Sequence, residues 1–97
     1  MMIYKTQNGD EVTLAISGRL DSVSQSELTQ GLEKVFETSV ASLIFDLSEL
    51  DYVSSAGLRV LLAAQKKIGS LGATMKIVGA NESVKEIFQI TGFAYDD

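Results

Sequence analysis

A chain of 97 residues with 45% hydrophobic side chains is long enough for one folded domain and too apolar for disorder. Its formal net charge of -5 disfavours nucleic acid and anionic lipid surfaces as partners. Cysteine and histidine are both absent, which removes disulfides, thiol chemistry, His-based triads and ordinary zinc sites.

The opening residues Met1-Met2-Ile3-Tyr4-Lys5 lack the basic start and long apolar run of a signal peptide. No stretch reaches the roughly 20 apolar residues of a membrane span. A single cytoplasmic domain over residues 1–97, with no membrane insertion, is the expectation. Asn8-Gly9, between the runs Ile3 to Gln7 and Glu11 to Ser17, predicts a tight hairpin. Val12, Leu14 and Ile16 alternate with Thr13, Ala15 and Ser17, the period of a strand with one buried face. Gly18-Arg19-Leu20-Asp21 then reads as a turn.

A first helix begins near Ser24. Ser24 and Glu27 have the spacing of a capping box, and Val23 and Leu28 that of a hydrophobic staple. Leu28, Leu32, Val35 and Phe36 form its apolar stripe. The short apolar run Leu43 to Leu47 predicts a strand covered on both faces. A polar loop from Ser48 to Ser54 follows. A second helix runs from Ser55 to Leu71, apolar through Leu58, Leu61, Leu62 and Ile68 and polar through Arg59, Lys66, Lys67 and Ser70, with Gly69 and Gly72 at its end. Met75 to Val78 is a further strand. Asn81 caps a third helix that buries Val84, Ile87, Phe88 and Thr91 and stops at Gly92. The order β-β-α-β-α-β-α predicts an α/β fold, with a small mixed sheet of about four strands and helices packed on it.

The segment Asp46 to Leu62 holds the candidate chemistry. A buried strand leads through a loop to Ser54-Ser55-Ala56-Gly57 and straight into a helix. Ligands and partners meet open α/β sheets at the carboxyl ends of strands. A serine there can cap the helix, and Gly57 admits close backbone approach. The helix start also tolerates an anion, so a phosphoryl group on Ser55 would change the surface without changing the fold. Asp21 is expected at the same sheet end, where it either shapes a partner surface or organises its own turn. Asp46 is expected to accept hydrogen bonds from loop amides rather than to act in catalysis. Asp46, Glu49 and Asp51 match no calcium loop, and Gly69-Ser70-Leu71-Gly72 lacks a phosphate-binding ending, so no metal and no cofactor are expected. Arg59, Lys66 and Lys67 are either a solvated stripe or, at Arg59, part of the frame around Ser55. A hydrolase built on Ser55, or on Asp21 and Asp46, would lack a histidine to activate the hydroxyl, which places binding ahead of catalysis.

Three segments in order resemble the STAS domain, the family of sulfate transporters and anti-sigma factor antagonists. Gly18-Arg19-Leu20-Asp21 is similar to the family's Gly-x-Leu-Asp turn, and Asp46-Leu47-Ser48 to its Asp-Leu-Ser strand end. Tyr52-Val53-Ser54-Ser55-Ala56-Gly57-Leu58 resembles its aromatic-x-Asp-Ser-Ser/Ala-Gly-Leu motif. The resemblance covers nearly the whole chain and implies a stand-alone bacterial antagonist. Such a protein binds an anti-sigma factor that is also a serine kinase, is switched off by serine phosphorylation, and is restored by a serine phosphatase. It implies Ser55 as the phosphoacceptor, with Asp21, Ser54, Gly57, Leu58 and Arg59 near the partner surface. Ser54 stands where the family usually has Asp, which makes Ser54 a competing acceptor. It also leaves open a constitutive STAS scaffold of a transporter or signalling assembly, without a phosphate cycle. The chain ends soon after Gly92-Phe93, where many family members continue with another strand or helix, so one edge of the domain is expected to be barer or filled by a partner.

Overall fold

The computed structural model describes residues 1–93. Along the chain run β1 (Met2–Asn8), β2 (Glu11–Leu20), α1 (Gln25–Phe36), β3 (Ser42–Val53), α2 (Ser55–Ser70), β4 (Thr74–Val78) and α3 (Glu82–Thr91). The sheet order is β1-β2-β3-β4, with β1 antiparallel to β2 and the other two pairings parallel. The α/β class, the element order and the four-stranded mixed sheet are those the sequence predicts.

The hairpin sits one residue later than its dipeptide signal suggests. Asn8 still pairs with Glu11, so the loop is Gly9-Asp10. Gly9 at φ +64 supplies the backbone that mirror-image hairpin turns require at their first loop position.

Two crossovers in the same direction, through α1 and then α2, put both helices on one face of the sheet. Val12, Leu14 and Ile16 of β2 meet Leu43, Phe45 and Leu47 of β3 in one core, which the helices close with Leu28, Leu61 and Phe88 among others. Thr13, Ala15, Ile44 and Asp46 face the other way and are only half-buried. The expectation that β3 is covered on both faces is therefore corrected. Its apolar run hides a period of two, with Ile44 turned outward.

Both central strands outrun their predicted ends. The expected turn Gly18–Asp21 and the expected loop Ser48–Ser54 lie largely in strand, because β2 and β3 keep pairing through Gly18↔Leu50, Arg19↔Tyr52 and Leu20↔Val53. Register shifts between Ala15 and Ser17 and between Gly18 and Arg19 give β3 two extra residues over this stretch. Such bulges break the in-out alternation. Leu47, Leu50 and Val53, three apart, are consequently all buried.

Other local expectations are corrected in the same way. The Ser24–Glu27 capping box does not form: Ser24 is already helical at φ -91 and ψ -10 and makes no side-chain cap. Val23 is 85% exposed, so it staples nothing. Leu62 lies off the buried stripe of α2, and Val60 and Ala64 pack in its stead. Thr91 is exposed and returns its hydroxyl to the Ile87 carbonyl at 2.8 Å. Asn81 does cap α3, accepting from the Val84 amide at 2.9 Å, and its own amide nitrogen donates to the Leu50 carbonyl at 3.0 Å. That bond ties α3 to the bulged part of β3.

Candidate functional site

The site is assembled where β2 and β3 end side by side. Leu20 pairs with Val53, and the ladder runs one step further as the Ser54 amide donates to the Leu20 carbonyl at 2.8 Å. Ser54 stays extended, at φ -90 and ψ 172, and α2 starts at the next residue. Its hydroxyl accepts from the Gly57 amide at 3.1 Å, and its carbonyl accepts from the Leu58 amide at 2.8 Å. Ser54 is thus the helix cap, a half-buried residue whose side chain is already engaged.

Ser55, the first residue of α2, is exposed, and its hydroxyl makes no hydrogen bond among the described residues. Asp and Ser rank together as helix caps, so Ser54 can do the structural work of the aspartate usual at this position.

Gly57 explains how the helix start comes so close to β2. A Cβ there would lie 2.6 Å from the Leu20 Cγ and 2.6 Å from the Leu20 carbonyl oxygen. Only a residue without a side chain fits. Leu58, 4% exposed, plugs the core just behind. Gly57 and Leu58 therefore shape this surface from beneath and offer it no side chain.

Asp21 follows Leu20 directly, which brings it to the same sheet end as Ser54 and Ser55. Its Oδ1 accepts from the Val23 amide at 3.0 Å and the Ser24 amide at 3.1 Å, so it organises the entry to α1. Its Oδ2 lies 3.8 Å from the Arg19 Nε. The Ser24 amide, above all, holds the Asp21 carboxyl below its ordinary value. Partial desolvation opposes this, while the Ser24 hydroxyl, the Val23 amide and the Arg19 guanidinium add to it. A carboxyl lowered in the folded state contributes stability that is present above its unfolded value and lost as pH falls through the folded one. Asp21→Asn is therefore expected to flatten the acid limb of stability against pH. Thermal midpoints of both proteins between about pH 6 and about pH 2 test this, and parallel curves would refute it.

Sequence reasoning missed Arg19 and Tyr52. The Arg19 guanidinium lies over the Tyr52 ring, 4.3 Å from its centroid, a cation–π contact on the exposed surface beside Asp21. The two residues are ladder partners, which the reading of both segments as irregular concealed. No local signal marked them, because bulges give Leu47, Leu50 and Val53 a spacing of three that matches no regular strand. Arg59 is exposed one turn beyond Ser55, on the same face of α2, and lines a groove between α1 and α2. Asp46 lies apart, on the open sheet face, where its Oδ1 accepts from the Ser48 amide at 3.0 Å and the Ser48 hydroxyl at 2.7 Å. The strand neighbour Ser48, not a loop, satisfies it.

These features define a small α/β domain whose most elaborated surface is a helix start beside paired strand ends. The chain belongs to the STAS domain family, whose model matches residues 2–96. It is 31% identical over 78 residues to BtrV of Bordetella bronchiseptica, an alignment covering 80% of this chain and 67% of that protein. It is 29% identical over 86 residues to the anti-sigma-B factor antagonist of Bacillus subtilis strain 168, covering 89% of this chain and 78% of the relative. Among solved structures, the anti-sigma factor antagonist SpoIIAA in its unphosphorylated form superposes with a TM-score of 0.84 at 17% identity, over 94% of this chain and 81% of that one. The phosphorylated form of the Bacillus protein gives 0.77 at 15% identity, over 94% and 84%. Both likenesses establish the fold. No helix among the described residues is long and apolar enough to cross a membrane.

Proposed function

We propose that this protein is an anti-sigma factor antagonist: it captures an anti-sigma factor that is also a serine kinase, and phosphate on Ser55 ends the capture. The observation carrying this reading is the division of labour between adjacent serines. Ser54 is committed to the cap, while Ser55 is exposed at the helix start. The first turn of α2 contains no acidic side chain of its own to oppose a phosphate at its positive end. The relative named as an anti-sigma-B factor antagonist supports the class of partner. SpoIIAA shares this fold in both its phosphorylated and unphosphorylated forms, so the fold is compatible with a phosphate. Asp21, Arg19 and Tyr52 flank the serine and complete the surface that the partner meets. A serine phosphatase resets the switch.

The test is phosphorylation of the purified chain by an anti-sigma factor kinase from the same genome, with ATP, followed by intact mass and fragmentation. One phosphate is expected, on Ser55. Ser55→Ala is expected to abolish it. Ser54→Ala is expected to retain it while losing about 1 kcal/mol of stability with its cap. Phosphate on Ser54 would overturn the assignment. No phosphate at all would favour the constitutive scaffold.

A further inference from the structure

On the outside of the helical layer, α1 and α2 leave an open groove of about 320 Å³. Its floor is Leu32, Phe36, Val60, Ala63 and Ala64. The rim is charged and polarised: Glu33 stands on the α1 side, Arg59 and Lys67 on the α2 side. None of the three forms an ion pair among the described residues, although the chain as a whole is acidic.

We propose that this groove docks an amphipathic helix of the anti-sigma partner. Its apolar stripe fills the floor, its acidic residues face Arg59 and Lys67, and a basic residue faces Glu33. The partner's identity rests on the proposed function; the chemistry of the docking segment rests on the groove itself. Arg59 and Lys67 are eight residues apart on α2, about 12 Å along the axis at the helical rise. A fatty acid, the other occupant an apolar groove of this size could take, has one carboxylate, which could satisfy only one of them and would meet Glu33 as a repulsion. A helix lying along the groove satisfies all three, because side chains two turns apart match that spacing. A third helix laid between two others is a familiar way to cover an apolar seam, and opposed rim charges fix its direction.

The groove also continues the Ser55 surface. Arg59 belongs to its rim and lies one turn from Ser55 on α2. A phosphate on Ser55 would compete with the partner's acidic side chain for the same guanidinium. The switch would then act on the groove as well as on its own surroundings.

The test is the affinity of the anti-sigma factor for the wild-type chain, Ala63→Trp and Lys67→Glu, with thermal melts of each. Ala63 is exposed on a helix, so tryptophan fills the groove without entering the core. Ala63→Trp is expected to melt near the wild type and Lys67→Glu slightly below it, because that lysine sits in the last turn of α2, and both are expected to bind at least about tenfold more weakly. Wild-type binding with unchanged affinity for both variants overturns the groove and leaves the antagonist reading intact. Failure of the wild-type chain to bind overturns that reading, and this proposal with it. A wild-type dimer that Ala63→Trp dissociates would assign the groove to a second copy and overturn the proposal. Chemical shifts perturbed at Leu32 and Ala63 in the complex would support it.

Discussion

Gly57→Ala is expected to lower the thermal midpoint by roughly 10–20 °C, corresponding to about 2–3 kcal/mol of overpacking in a domain of this size. The added Cβ would sit 2.6 Å from the Leu20 Cγ and 2.6 Å from the Leu20 carbonyl oxygen. The side chain can turn away, but the carbonyl cannot, because it accepts the Ser54 amide that joins β2 to the start of α2. Relief requires the first turn of the helix to move off the strand. Ser55 moves with it and loses its place beside Asp21, so partner capture should fail along with stability. Gly69→Ala is the control. It lies in the same helix, its added Cβ would meet nothing within 4 Å, and it should gain roughly 0.5–1 kcal/mol from helix propensity. The comparison needs only two melting curves. Matching midpoints for Gly57→Ala and the wild type would mean that the helix start is not packed on β2 as described.

The sequence makes the architecture legible because periodicity carries it. Alternation in β2, the stripe of α1 and the Asn81 cap each depend on residues close in the chain, and each appears where the pattern puts it. Features set by pairing between distant residues are not legible in this way. The continuation of β3 past Asp46 depends on β2 as a partner, and bulges give its buried residues a spacing of three that suits no regular strand. At α1, the capping-box pattern is present in the residues, yet the Asp21 carboxylate takes the Val23 and Ser24 amides before the predicted cap can form. The site shows the same division. Ser54, Ser55 and Gly57 stand out in the sequence. Which serine caps, and why a glycine is needed, depends on Leu20, more than thirty residues away in the chain.

Ser55→Asp is expected to weaken capture of the anti-sigma factor by at least about tenfold, or 1.4 kcal/mol, while leaving the thermal midpoint unchanged or slightly raised. The two effects have opposite signs for separate reasons. Within the free protein, a carboxylate in the first turn of α2 meets the positive end of the helix, worth about 0.3–1 kcal/mol at an exposed site. It also gains Arg59 one turn on, for roughly 0.3–0.5 kcal/mol more. No acidic side chain in that turn opposes it, and the Asp21 carboxylate at the same sheet end takes back part of the gain. At the interface, the same charge must be stripped of water against a partner shaped for a neutral hydroxyl, and an unpaired buried charge is expensive. Ser55→Ala removes the hydroxyl without adding charge and should bind like the wild type. A fold defect would weaken binding and lower the midpoint together. The charge switch separates them, and calorimetry of the three proteins in melting and binding modes distinguishes the two cases. Equal affinities for Ser55→Asp and Ser55→Ala would show that the partner does not sense charge at position 55.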